Sequence, residues 1–151
     1  MAEPLTIKRI LLIVDGTENG VHAARYAVQV AALHQAEIVA LAVVDTAILK
    51  TLLKSSVLVE AEMMEFDEEL QGSAQKNLAY VAQLAKEAGV EADLLLKKGS
   101  AHCVVIGEAV DREPDLLVMG SFSTSLIKRD LNARARRLIV DEVKCPIVLV
   151  P

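Results

Sequence analysis

The sequence has no tryptophan and only four aromatic residues, Tyr26, Phe66, Tyr80 and Phe122. A platform for single-stranded nucleic acid stacks successive bases on aromatic rings, so nucleic acid is not an expected partner. Seven glycines and four prolines are too few for a collagen-like or low-complexity chain. The two cysteines, Cys103 and Cys145, each fall inside an apolar segment; they give no disulfide framework and are expected as buried thiols. Apolar runs such as Ile38 to Val44 are far shorter than the ~20 residues that cross a bilayer, so no membrane association is expected. Lys8 and Arg9 precede only Ile10 to Val14 before Asp15 interrupts, too short for the apolar part of a secretory signal. The expected compartment is the cytoplasm.

What is present is a chain of 151 residues, 53% hydrophobic, with a formal net charge of -5. That length predicts a single domain over residues 1–151, able to bury about 70% of its extended-chain surface. Ile10 to Val14, Ile38 to Val44, Ala92 to Leu96, Leu116 to Met119 and Ile147 to Val150 are short, nearly continuous apolar runs, the pattern of strands buried on both faces of a parallel sheet. Between them the apolar period lengthens to that of helices. Val21, Ala24, Val28 and Ala31 mark one helix, and Leu70, Ala74, Leu78, Val81 and Ala85 a second that Gly89 stops. A third is expected from about Ser100 to Asp111. A fourth carries Leu131, Ala135, Leu138 and Ile139 on one face, and a short extra helix is expected over Thr46 to Leu53.

Strands alternating with helices give an α/β fold, a doubly wound five-stranded parallel sheet sandwiched by helices in a Rossmann-like three-layer arrangement. Ligands of such sheets bind beyond the carboxyl ends of the strands, where strand order reverses. The positions to inspect are Asp15 to Thr17, Asp45, Lys97 to Gly99 and Gly120 to Arg129. The last strand is apolar, and an apolar edge strand invites pairing with a second copy, so a homodimer through Ile147 to Val150 is expected.

Searches for catalytic signatures fail. The chain has no G-x(4)-G-K-[ST], no G-x-G-x-x-G and no G-x-S-x-G. His22, His34 and His102 lack zinc-ligand spacing, and the adjacent His102 and Cys103 are expected to point apart on their helix, so neither a catalytic residue nor a metal site is assigned. The acidic run Glu60, Glu62, Glu65, Asp67, Glu68 and Glu69 reads as a solvated helix face. Lys128, Arg129, Arg134, Arg136 and Arg137 crowd five basic residues into ten positions, which either hold a phosphate or, for Arg134 and Arg137, lie opposite the apolar face of the fourth helix on its solvent side.

Taken together, several segments in register resemble the universal stress protein family along essentially the whole chain. Arg9-Ile10-Leu11-Leu12-Ile13-Val14-Asp15-Gly16-Thr17 is similar to the family's first strand and its Asp-Gly-Ser turn. Gly99, Ile106 and Ala109 fall as in its G-x(6)-I-x(2)-A stretch. Pro114-Asp115-Leu116-Leu117-Val118-Met119-Gly120-Ser121 resembles its fourth strand, and Val143-Lys144-Cys145-Pro146-Ile147-Val148-Leu149-Val150 its C-terminal signature. The resemblance implies an adenine nucleotide alpha hydrolase-like fold. It also implies a non-catalytic binding or signalling module of the stress response that meets a protein partner yet to be identified.

Family members that bind ATP carry Gly-x2-Gly-x9-Gly-Ser after the fourth strand. Here the frame reads Gly120, Ser123, Ala133 and Arg134, and no glycine follows Gly120. A loop whose backbone N–H groups wrap a phosphate chain needs positive φ and close backbone approach, both of which a Cβ resists. Robust ATP binding is therefore not expected, and no cofactor is required. The alternative is a switch with weak ATPase activity that binds ATP or AMP through Asp15, the hydroxyl loop 121 to 125 and the basic cluster. By resemblance the nucleotide-contacting positions are Val14, Asp15 and Val43, joined by Met119, Gly120, Ser121, Ser123 and Arg134. For Asp15 the competing role is an Asx turn leading into the first helix.

Overall fold

The computed structural model describes residues 5–46, 50, 53–55, 60–121 and 126–151, with 126–133 described as backbone only. The expected extra helix over Thr46 to Leu53 falls largely outside them, as does Ser123. Among the described residues five strands alternate with four long helices: β1 (Arg9–Val14), α1 (Glu18–His34), β2 (Glu37–Asp45), α2 (Glu60–Ala88), β3 (Ala92–Gly99), α3 (Ala101–Arg112), β4 (Leu116–Gly120), α4 (Leu126–Glu142) and β5 (Ile147–Val150). No described helix is long and apolar enough to cross a membrane.

All strand pairs are parallel, in the order β3-β2-β1-β4-β5. The chain winds outward from β1 in one direction and then, from β4, in the other. The reversal falls between β1 and β4, where Ile10 faces Leu116 and Leu12 faces Val118.

Alternate residues of β1 feed opposite layers, as the two-residue period of a strand requires. Ile10, Leu12 and Val14 pack with Ala23, Ala27, Val28 and Ala31 of α1 and with Leu78 and Val81 of α2. Leu11 packs with Leu41, Leu117 and Met119 against Val105 of α3 and Ile139 of α4. The inner face of α1 is built mostly of small residues, Gly20, Ala23, Ala24, Ala27 and Ala31, which lets its backbone lie close to the sheet. That helix is capped at both ends. Thr17 Oγ1 accepts a 3.0 Å hydrogen bond from the Gly20 N–H, and Gln35, at φ 55°, donates its N–H back to Ala31.

Strand three departs from the expected limits. It continues past Leu96 to Gly99, with Asp45 opposite Gly99, so Lys97 and Lys98 are strand residues rather than a loop beyond the sheet. β3 is an edge strand, half exposed along its length, and apolar content therefore does not mark its end. Its lysines reach acids instead: Lys98 Nζ lies 3.1 Å from Asp67 Oδ2, and Lys97 Nζ 3.7 Å from Glu108 Oε1.

At the amino ends of the strands, the Asp115 carboxylate accepts hydrogen bonds from the backbone N–H groups of Lys8 and Arg9 at 2.8 and 3.0 Å. Asp115 returns its own N–H to the Arg9 carbonyl, which locks the start of β4 to β1. Here too the Arg112 guanidinium is held above its ordinary value, chiefly by its hydrogen bond to Glu108. Burial pushes the Cys145 thiol up.

The expectation of two buried thiols is corrected at both: Cys145 is half-buried, and Cys103 departs further. It is exposed, because α3 turns Val105 rather than Cys103 to the sheet. His102 and Cys103 do not point apart: His102 Nε2 lies 3.4 Å from the Cys103 Sγ, while its Nδ1 meets Ser100 Oγ at 3.0 Å. Ser100 stands at the N-cap of α3 without capping it, and its contact with His102 turns the ring back along the helix toward Cys103.

Candidate functional site

The carboxyl ends of β1, β2 and β4 open into a cleft of about 440 Å³, within the usual range of small-molecule sites. Val14, Val43 and Met119 form its floor at the strand ends. Phe66, Leu70 and Asn77 of α2 form one wall, and Ala101 and Val105 of α3 with Ala135, Arg136 and Ile139 of α4 complete it. The floor is apolar because parallel strands are buried on both faces. Polar groups enter where the strands stop and from the helices that wall the cleft, Ser73 and Asn77 from α2 and Arg136 from α4.

Asp15 follows the last residue of β1. Its Oδ1 accepts from the Thr17 N–H at 3.1 Å and from the Thr17 hydroxyl at 2.8 Å, an Asx turn that carries the chain into α1. Gly20 makes this turn fit, since a Cβ there would collide with the Asp15 carboxylate. The other oxygen, Oδ2, does not point to solvent. It receives a 2.7 Å charge-assisted hydrogen bond from Arg136 Nη2, between side chains 26% and 14% exposed for Asp15 and Arg136.

Arg136 has a second anchor in Ser121, whose carbonyl accepts from Nη1 at 3.0 Å. Ser121 is fixed from two further sides. Its N–H donates to the Val150 carbonyl at 2.7 Å, and its carbonyl and hydroxyl accept from Asn19 Nδ2 at 3.3 and 3.1 Å. Asp45 also faces the cleft, and its Oδ2 accepts from the Ala101 N–H at 3.3 Å in the first turn of α3, where the helix dipole favours an acid.

Four of the expected contact residues, Val14, Asp15, Val43 and Met119, therefore line one cleft. Gly120 and Ser121 stand at its edge with other duties. A Cβ on Gly120 would lie 2.7 Å from the Gly20 nitrogen and 2.8 Å from the Asn19 carbonyl carbon, so this glycine serves the close approach of β4 to α1. Arg134 is exposed and does not line the cleft; Arg137 is exposed as well, as a solvent-side position should be. Among the described residues the cleft's arginine is Arg136, which composition alone leaves indistinguishable within a basic cluster. The signal lay in the helical spacing: Arg136 is one residue after Ala135 and three before Ile139, on the flank of the buried face. Phe66 and Asn77 were also missed, because the α2 period marks buried positions and both sit beside them.

Among the described residues no three His, Cys, Asp or Glu side chains converge as metal ligands. Asp15 and Arg136 pair at the mouth of the cleft, above an apolar floor.

Comparison with known proteins agrees with this architecture. The family model for the universal stress protein family matches residues 6–151. Universal stress protein MJ0531 of Methanocaldococcus jannaschii is 26% identical over 143 residues, covering 95% of this chain and 81% of the relative. The structure of the universal stress protein UspA of Lactobacillus plantarum superposes with a TM-score of 0.73 at 22% identity, covering 97% of this chain and 99% of the other. That of an Arabidopsis thaliana universal stress protein family protein with AMP bound superposes with a TM-score of 0.64 at 15% identity, covering 95% and 90%. With a family model matched across nearly its whole length, and the sheet, helices and cleft of that fold in place, this chain belongs to the universal stress protein family.

Proposed function

We infer that this member acts as a non-catalytic binding and signalling module of the stress response, working as a homodimer, whose cleft does not hold ATP strongly. The observation that carries the reading is the position of Arg136. Its guanidinium, bonded to Asp15 and Ser121, occupies the mouth of the cleft beside β4, and the chain that follows Gly120 has no glycine with which to wrap a phosphate chain in backbone N–H groups. A triphosphate entering here meets a partnered arginine and two carboxylates, Asp15 and Asp45, rather than a cradle of amides.

A second reading, an adenine nucleotide switch, is favoured by the cleft floor. Val14, Val43 and Met119 offer an apolar slot at the strand ends, and the Arabidopsis relative of the same fold holds AMP. The two readings separate in a thermal melt. A ligand that binds only the folded state adds about 2.7 kcal/mol at a hundredfold excess over its dissociation constant. Magnesium ATP at millimolar concentration is expected to leave the melting temperature where it is; a clear rise abolished by Asp15→Ala would favour the switch. The homodimer is expected to form through β5, whose Leu149 is exposed at the edge of the sheet.

A further inference from the structure

We propose that Cys103 is a thiol-oxidation site that takes a hydroperoxide as its oxidant, with His102 as the base that frees the sulfur and Ser100 as the residue that positions the ring. The three side chains stand apart from the cleft, which α3 lines through Ala101 and Val105. Whether a nucleotide enters that cleft does not bear on them.

Cys103 is exposed, while Val105, two positions on, packs on the sheet. Exposure lets an oxidant reach the sulfur but does not make it a nucleophile, because the thiolate is the reactive form. A base is already in contact. His102 Nε2 lies 3.4 Å from the Cys103 Sγ, within reach of an S–H donor. The other ring nitrogen, Nδ1, lies 3.0 Å from Ser100 Oγ. When Nδ1–H donates to that hydroxyl oxygen, Nε2 is the nitrogen with the free lone pair and accepts from the thiol. Nucleophile, base and a third group that fixes the base thus stand in sequence.

Ser100 serves the ring at the expense of its helix. An N-cap hydroxyl ordinarily accepts from an N–H of the first turn, and Ser100 does not. The Ala101 N–H is taken instead by Asp45 Oδ2 at 3.3 Å, which leaves the Ser100 hydroxyl to His102.

The reaction balances without a further reagent. The Sγ proton passes to Nε2, and the thiolate attacks the hydroxyl oxygen of the hydroperoxide. An S–O bond forms as the O–O bond breaks, and the departing hydroxide or alkoxide takes the proton back from Nε2. Cys103 is oxidised by two electrons to a sulfenic acid, the hydroperoxide is reduced to water or an alcohol, and His102 ends neutral. Cys145 cannot condense with the product, since it lies with Glu113 and Pro114 beyond the opposite end of α3. The sulfenic acid therefore persists long enough to be trapped.

The test exposes the full chain to hydrogen peroxide with excess dimedone, which captures sulfenic acids, and follows labelling of Cys103 by peptide mass mapping. In the folded chain Cys103 is expected to label at least about tenfold faster than in the same chain unfolded in urea. His102→Gln is expected to bring the folded rate down to the unfolded one. Ser100→Ala lowers it in part, and Ser100→Thr, which keeps the hydroxyl, restores it. The urea midpoint and the Cys145 labelling rate check that each variant is folded. If His102→Gln does not fold, the folded-to-unfolded ratio of the unaltered chain and the Ser100 pair decide. A folded chain that reacts no faster than the unfolded one, or a folded His102→Gln that keeps the unaltered rate, overturns the proposal, because exposure alone gives either result. A Ser100→Ala chain that keeps the unaltered rate overturns the positioning role of Ser100.

Discussion

Gly120 is the one position of the family's phosphate-binding frame that this chain keeps, and its neighbours give the reason. The backbone of Asn19 and Gly20 leaves no room for a side chain at the end of β4, whether or not a nucleotide binds. Gly120→Ala is therefore expected to destabilise the fold by about 1–3 kcal/mol through overpacking against backbone that cannot yield, seen as a lower urea midpoint at unchanged slope. The two thiols separate at the same scale. Cys103 is exposed, whereas burial holds the Cys145 thiol in its neutral form. A disulfide reagent at pH 8 should modify Cys103 first, with Cys145 reacting more slowly, as peptide mass mapping over time will report. Because the folded value of Cys145 is raised, its contribution to stability is complete below the unfolded thiol value, about 8.5, and is lost as pH rises beyond it toward the folded value. Urea midpoints compared at pH 7 and pH 10 should drop more for the unaltered chain than for Cys145→Ala.

At the scale of elements, the strands buried on both faces were legible because burial forces a continuous apolar run; β1, β2 and β4 begin and end within a residue or two of where those runs do. β3 was legible only in part. As an edge strand it keeps Lys97 and Lys98 in the ladder through ion pairs to Glu108 and Asp67, interactions with residues remote in sequence that no local pattern announces. The Asp115 carboxylate illustrates the same limit. It joins β4 to β1 through two backbone donors more than 100 positions away, and Asp115→Ala should cost about 1–3 kcal/mol by leaving those N–H groups without their acceptor, read from the urea midpoint. At the other edge, Leu149→Lys places a charge on the exposed side of β5, and if this strand pairs two copies, sedimentation velocity should show the variant as monomer where the unaltered chain is dimer. An unaltered chain that sediments as a monomer contradicts that pairing.

For the whole molecule, the order of elements and the place of the cleft follow from alternation and from the rule that open sheets bind at the reversal of strand order. Local sequence could name Asp15, which stands just past the end of an apolar run, whereas Val14 and Val43 were reached through the family resemblance. Helical spacing puts Arg136 on the flank of a buried face but does not single it out as a site residue, since its partners Asp15 and Ser121 lie on other elements and only packing of α4 against the sheet brings them together. That pairing is what turns a cleft common to the fold into one with its own electrostatics. The central claim is that this arrangement excludes strong ATP binding, and the melting curve of the full chain with millimolar magnesium ATP tests it most directly. Tight binding would raise the melting temperature by several degrees for a chain of this size; the account predicts no measurable rise, and an upward shift of several degrees would contradict it.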